Sequence, residues 1–263
     1  VSVLDEIVAA TKIRVARDKA AQPLAELEER AAASKRVPFV FEKALAEPGM
    51  SFICEVKRAS PSKGTISEDF PYLDIAADYA SAGAAAISVL TEPDFFLGSD
   101  RHLLEIRRTV DTPLLRKDFV IDPYQIVQAR ALGADAVLLI CALLPPEELG
   151  EFRALADSLG LSCLVEAHDE AELQMALDAG ARVVGVNNRD LHTFQVDTGN
   201  SIRLRAIAPP EILFVAESGV SRAGDAALLR RHGVDAVLVG EALMRSPDKQ
   251  AALRALRTEE GEP

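Results

Sequence analysis

The chain has 263 residues, room for one large α/β domain or two small ones, and about half of them are apolar, ample for one sizeable core. A net charge of −12 argues against a nucleic-acid surface or a polybasic membrane patch, so an anionic ligand must be held by locally placed cations and backbone N–H groups. The three cysteines, Cys54, Cys141 and Cys163, lack metal-ligand spacing and are odd in number, which suits buried thiols in a reducing compartment.

From Val1 to about Lys19, apolar residues at Val3, Leu4, Ile7, Val8 and Ile13 fall at helical spacing between charges. With Asp5 and Glu6 so early and no continuous apolar run, this segment does not read as a signal peptide. No stretch approaches the roughly 18 apolar residues of a membrane span, so a soluble, cytoplasmic protein is expected. A second helix is predicted over Pro23–Ser34, with proline suited to its first turn. Both precede any strand. Residues 1–47 are therefore expected to be a helical extension packed on the main domain, being too short to bury a core of their own.

From Ser51 onward one unit recurs: a short apolar strand, a loop, a helix, then Gly or Pro before the next strand. The predicted strands are Phe52–Lys57, Ala86–Leu90, Leu114–Lys117, Ala136–Ile140, Ser162–Glu166, Val183–Asn187, Leu213–Glu217 and Ala236–Val239. Nearly all-apolar strands alternating with amphipathic helices imply a parallel sheet covered by helices. Such units could build an open doubly wound sheet or a closed barrel. No G-x-G-x-x-G follows the first strand, and polar residues end strands across the whole set. Convergence on one mouth favours a (β/α)8 TIM barrel over residues 48–257, with a short tail at 258–263.

Side chains along a strand alternate faces, so Glu55 shares a face with Lys57, Lys117 with Leu115, and Glu166 with Leu164. If the intervening apolar residues point outward, these charges meet inside the mouth, where they compensate one another and shift one another's proton affinity. A purely structural ion-pair network is the alternative. A second constellation, Glu217-Ser218-Gly219 and Val239-Gly240-Glu241, follows the seventh and eighth strands, where this fold recurrently holds phosphate. On that reading a side chain added at Gly240 should weaken phosphate binding and leave the lysines in place. The basic loop Arg58–Gly64 is a candidate anion contact, and Asn187-Asn188-Arg189-Asp190 offers amide and guanidinium donors, or else a turn rich in Asn and Asp. His168 reads as a surface-loop histidine. No metal and no cofactor are expected.

Taken together, Glu55-Val56-Lys57-Arg58-Ala59-Ser60-Pro61-Ser62-Lys63-Gly64, Leu115-Arg116-Lys117-Asp118-Phe119, Leu164-Val165-Glu166-Ala167-His168 and Ala216-Glu217-Ser218-Gly219 resemble the indole-3-glycerol phosphate synthase family. The Leu90–Ser99 loop, Gly185–Leu191 and Leu238–Met244 extend the likeness over about residues 2–257, helical extension included. Ala167 and Thr198-Gly199 depart slightly from the family pattern.

The resemblance implies a carboxy-lyase of tryptophan biosynthesis. Its members close the ring of 1-(2-carboxyphenylamino)-1-deoxyribulose 5-phosphate, with loss of carbon dioxide and water, to give indole-3-glycerol phosphate. By family position Lys117 is the principal acid and Glu166 the base or proton relay. Glu55 sets the charge state of the lysines, and Lys57 meets substrate carboxylate or phosphate. Ser60, Asn187, Arg189, Glu217 and Ser218 are expected to position the substrate. Pro61, Phe96, Phe119, Leu138 and Leu191 are expected to form the aromatic slot, and Gly219, Gly240 and Glu241 the phosphate site. The implied ligand is one small phosphorylated molecule, with no nucleic acid and no membrane. A monomer is expected, and association with other enzymes of the pathway is left open. The rival on the same fold is a Schiff-base aldolase using Lys117 or Lys57. An isomerase of the same fold would need a cysteine–aspartate pair, and a catalytically inert phosphate sensor would bind without turnover.

Overall fold

The computed structural model describes residues 2–189 and 195–258. Among them eight strands alternate with helices: β1 (Ser51–Val56), β2 (Ala86–Leu90), β3 (Leu114–Lys117), β4 (Ala136–Ile140), β5 (Ser162–Ala167), β6 (Val183–Asn187), β7 (Leu213–Glu217) and β8 (Ala236–Val239). All pair in parallel with their sequence neighbours, and β8 returns to β1, closing the barrel. Lys57 stands one residue beyond β1, and β5 runs one residue further than expected.

Closure makes every strand an interior element, which explains their two-sided hydrophobicity. The inward residues Ile53, Leu115, Leu138, Leu164, Val215 and Leu238 form one cluster inside the barrel. The outward set, including Phe52, Ile87, Val137, Val165, Phe214 and Val237, packs beneath the surrounding helices. Inward parity carries each strand from an apolar lower layer to a polar end: Glu55 on β1, Lys117 on β3, Glu166 on β5, Asn187 on β6 and Glu217 on β7.

Three helices precede β1: α1 (Val3–Ala21), α2 (Leu24–Ala32) and α3 (Val40–Leu45); those after it are α4 (Tyr72–Ser81), α5 (Asp100–Thr109), α6 (Pro123–Leu132), α7 (Pro146–Ser158), α8 (Glu170–Asp178), α9 (Gly199–Arg205), α10 (Ala223–Arg231), α11 (Glu241–Arg245) and α12 (Lys249–Arg257). The expectation of two helices did not include α3. At six residues it is too short to show a period, and it follows Phe39 in the left-handed region, φ 60°. Its Phe41 and Leu45 are buried and join the cluster inside the barrel. They close the end opposite the charged one. Leu27 and Ala31 of α2 pack on Tyr124 and Val127 of α6 (Pro123–Leu132).

α1 starts with a capping box in which Ser2 and Asp5 satisfy one another's exposed groups. Further along, buried Arg14 donates to Asp118 Oδ1 at 2.6 Å and to the Thr91 carbonyl at 3.5 Å. Asp118 also faces Arg116 at 3.4 Å and accepts from Thr91 Oγ1 at 2.6 Å. Arg116, on the outward side of β3 and almost wholly buried, donates in turn to Asp100 and to the Gln125 carbonyl. Such a buried charged network is tolerable only because its members satisfy one another. It fastens α1 to the polar end of β3, one residue from Lys117.

Candidate active site

The polar strand ends surround a cavity of about 500 Å³. Its wall includes every site residue expected from the sequence except Leu191, which lies outside the described residues. At its centre the Lys117 Nζ is 3.3 Å from Glu217 Oε2 and 3.7 Å from Glu166 Oε2. Glu55 pairs with Lys57 alongside. Burial by itself disfavours the Lys117 ammonium. The carboxylates of Glu217, Glu166 and Glu55 outweigh it and hold Lys117 above the usual lysine range. Burial also opposes ionisation of Glu55, but Lys57 and Lys117 bring its carboxyl below the usual range. Glu217 resolves the other way. Desolvation, reinforced by the nearby Glu166, pushes it up to about 7 against the pull of Lys117.

Room for this cluster comes from missing side chains. A Cβ on Gly185 of β6 would overlap the Glu217 carboxylate, and one on Gly240 would overlap that of Glu55 and sit 3.1 Å from Lys57 Nζ. The expectation that Gly240 could gain a side chain without touching the lysines is therefore corrected: its glycine makes space for the Glu55–Lys57 pair.

Around the charges the loops are held by short, local bonds. Ser60 lies in a small antiparallel pair, Ala59–Ser60 with Gly64–Thr65, within the segment read from sequence as a polar loop. The Glu92 carboxylate accepts the N–H groups of Asp94, Phe95 and Phe96 at 2.8 to 3.0 Å, curling the loop after β2. Phe96 then meets Phe119 with ring centroids 5.9 Å apart, an apolar wall facing the charge cluster. Asn187 donates to Glu166 Oε1 at 3.4 Å, while its Oδ1 accepts from the Arg189 N–H and from Ser218 Oγ, both at 3.0 Å. Buried Asn188 braces the same loops, donating to the Ser218 carbonyl and accepting from Ser201.

Ser218 and Gly219 are consecutive left-handed residues, with φ 66° and 86°. A non-glycine residue in that region is uncommon, and the two bonds to Ser218 hold it there. A Cβ on Gly219 would lie 2.6 Å from Thr198 Cγ2 and 2.8 Å from Val196 Cγ1. Gly240 precedes α11 (Glu241–Arg245). The carboxylate of Glu241 faces Arg245 at 3.1 Å and Lys63 at 3.5 Å, so only its main chain is offered to an anion.

Sequence reasoning missed three contributions. Val3, Leu4 and Ile7 of α1 line the cavity, so the extension forms part of the site wall. Their helical spacing was legible, but their destination depends on the Arg14 tether. Arg245 adds a cation to the wall, beside Lys63 of the basic loop already read as an anion contact. Finally, His168 is no surface histidine. It is largely buried, with Nε2 3.4 Å from Glu166 Oε1 and Nδ1 3.0 Å from Glu172 Oε2. The i,i+4 spacing of His168 and Glu172 was the available signal.

A closed parallel barrel with a partly buried lysine among three carboxylates at one end, facing an aromatic wall, defines an acid–base enzyme of the (β/α)8 class. Residues 4–256 match the indole-3-glycerol phosphate synthase family. An indole-3-glycerol phosphate synthase of Ruminiclostridium cellulolyticum is 58% identical over 97% of this chain and 98% of its own length. One from Endomicrobium trichonymphae is 54% identical, covering 97% and 99%. Among solved structures, 3-hexulose-6-phosphate synthase from Salmonella typhimurium is similar in fold alone, with TM-score 0.64 at 16% identity over 79% of this chain and 97% of that one. The chain belongs to the indole-3-glycerol phosphate synthase family, carboxy-lyases of tryptophan biosynthesis.

Proposed function

We propose that Lys117 and the carboxylates around it carry the ring closure of 1-(2-carboxyphenylamino)-1-deoxyribulose 5-phosphate to indole-3-glycerol phosphate. The observation that carries this assignment is the Lys117 ammonium, held charged between Glu217 and Glu166 and facing the Phe96–Phe119 wall. Attack of an anilino ring carbon on the ketone builds negative charge on oxygen, and a fixed ammonium stabilises that alkoxide. The alkoxide takes a proton from Lys117 to become a hydroxyl, and carbon dioxide leaves, its bonding pair restoring the aromatic ring. Lys117, reprotonated from solvent, supplies the second proton with which the hydroxyl departs as water. Glu166 takes or relays the proton lost from the methylene beside nitrogen as the indole double bond forms. Lys57, paired with Glu55, meets the substrate carboxylate or phosphate. Pro61, Phe96, Phe119 and Leu138 hold the ring, with Leu191 assigned to the same slot. Ser60, Asn187, Arg189, Glu217 and Ser218 fix the sugar chain.

The phosphate is assigned to the main-chain N–H groups of Ser218, Gly219, Gly240 and Glu241, with Lys63 and Arg245 as the nearby cations. A Schiff-base mechanism is disfavoured, because it needs a neutral amine and Lys117 is held protonated. Three buried free thiols support a cytoplasmic setting. Supplying the carboxyphenylamino-deoxyribulose phosphate to the purified chain should produce indole fluorescence and carbon dioxide without a borohydride-trappable adduct. Binding without turnover, or a trapped adduct, would contradict the assignment.

A further inference from the structure

Behind Glu166, away from the cavity wall, lies a group that the chemistry above leaves unused. His168 stands two residues beyond Glu166, at the point where β5 runs into α8 (Glu170–Asp178). Its ring does not line the cavity, so no substrate bound there meets it directly. Glu172 on the first turn of α8 accepts the His168 backbone N–H at 2.7 Å and faces Nδ1 at 3.0 Å. On the other side of α8, Asn200 of α9 (Gly199–Arg205) donates to the His168 carbonyl at 2.9 Å. Main chain and ring are thus fixed together, and the remaining nitrogen, Nε2, is directed toward Glu166 Oε1 at 3.4 Å. Nε2 is fully shielded from solvent and makes no hydrogen bond among the described residues, so the ion pair with Glu166 is the contact it has.

We propose that His168 is the positioning residue of Glu166: a ring clamped by Glu172 whose Nε2–H is aimed at the Glu166 carboxylate and orients it. This rests on the assignment of Glu166 as the base. A carboxylate at Nδ1 fixes the proton there, and a second at Nε2 favours the doubly protonated ring. The groups that raise the proton affinity of His168 are Glu172 on α8, Glu166 on β5 and Glu217 on β7. Burial opposes the cation, but these three carboxylates outweigh it and raise the ring above the ordinary histidine range. On its other oxygen Glu166 faces Lys117, so it is held between two cations. Substrate binding or the chemistry can draw on Lys117. The His168 contact persists, because the ring is outside the cavity.

The test is kcat and KM for His168→Leu, His168→Gln and Glu166→Gln, on the carboxyphenylamino-deoxyribulose phosphate. His168→Leu should lower kcat by about tenfold, a size usual for an outer partner of a reacting group, with KM within about twofold. His168→Gln keeps a donor and should recover much of kcat. In a Glu166→Gln background His168→Leu should add no further loss, since it acts through a carboxylate already gone. If His168→Leu does not fold, Glu172→Gln replaces it; removing the clamp on Nδ1 should lower kcat with KM little changed. A folded His168→Leu or Glu172→Gln with unchanged kcat would overturn the proposal. So would an equal loss from His168→Leu in the Glu166→Gln background. Wild-type turnover by Glu166→Gln alone would instead remove the assignment of Glu166.

Discussion

Gly219 and Gly240 stand after neighbouring strands, but each is glycine for its own reason. Gly219 sits in the left-handed region, where a side chain is strained whatever the space, and its Cβ would press on Thr198 and Val196. Gly240 has an ordinary backbone, and its missing Cβ leaves room for the Glu55–Lys57 pair. Gly219→Ala should therefore disturb the anion loop alone. We expect a KM rise of about tenfold, equal to about 1.4 kcal/mol, with weaker inhibition by inorganic phosphate and little loss of kcat. Gly240→Ala should reduce kcat as well as binding. Steady-state kinetics on both folded variants check this; a kcat effect confined to Gly219→Ala would reverse the two roles. Strand parity was enough to read Glu55, Lys57, Lys117 and Glu166 from the sequence as one inward set, because alternation is imposed by the backbone itself. The purpose of Gly240 was not legible, since it depends on which side chain crosses from the adjoining strand. His168 was misread for the same reason: its partners lie on the strand before it and the helix after it.

At the level of elements, the eight strands were legible to within a residue because each is buried on both faces and bounded by Gly or Pro. Short α3 was not. Its only sequence trace is Phe41 and Leu45 four residues apart, and its role as the plug of the barrel floor is a tertiary fact. α1 was visible as a helix, whereas its place over the mouth depends on Arg14. That side chain reaches Asp118 at 2.6 Å, beside Lys117, while Val3, Leu4 and Ile7 line the cavity. Arg14→Met keeps most of the buried volume but removes the tether. Asp118 retains Arg116, so the loss should fall short of a fully broken buried pair, at about 1 to 3 kcal/mol in urea unfolding. KM should rise several-fold as α1 loosens, while kcat on saturating substrate changes less. Unaltered stability and KM would mean that α1 is held by its apolar contacts alone.

As a whole molecule the barrel has two unlike ends. One is sealed by α3, and the other gathers charge from four strands beneath α1. A protein of net charge −12 does not attract a phosphorylated carboxylate by its average field, so binding falls to the few cations in the mouth. The same cluster should allow Lys117 to be replaced without loss of the fold. Glu217, already pushed up to about 7, should take up a proton when the ammonium is removed and so relieve the unpaired charge. The most direct measurement is then kcat for Lys117→Ala, followed by indole fluorescence on saturating carboxyphenylamino-deoxyribulose phosphate. Circular dichroism and inorganic phosphate inhibition are recorded on the same sample. Loss of the acid should lower kcat by about 10² to 10⁴, with the fold and phosphate inhibition retained. A folded Lys117→Ala variant that turns over substrate at close to the wild-type rate would contradict the placement of the chemistry at this lysine.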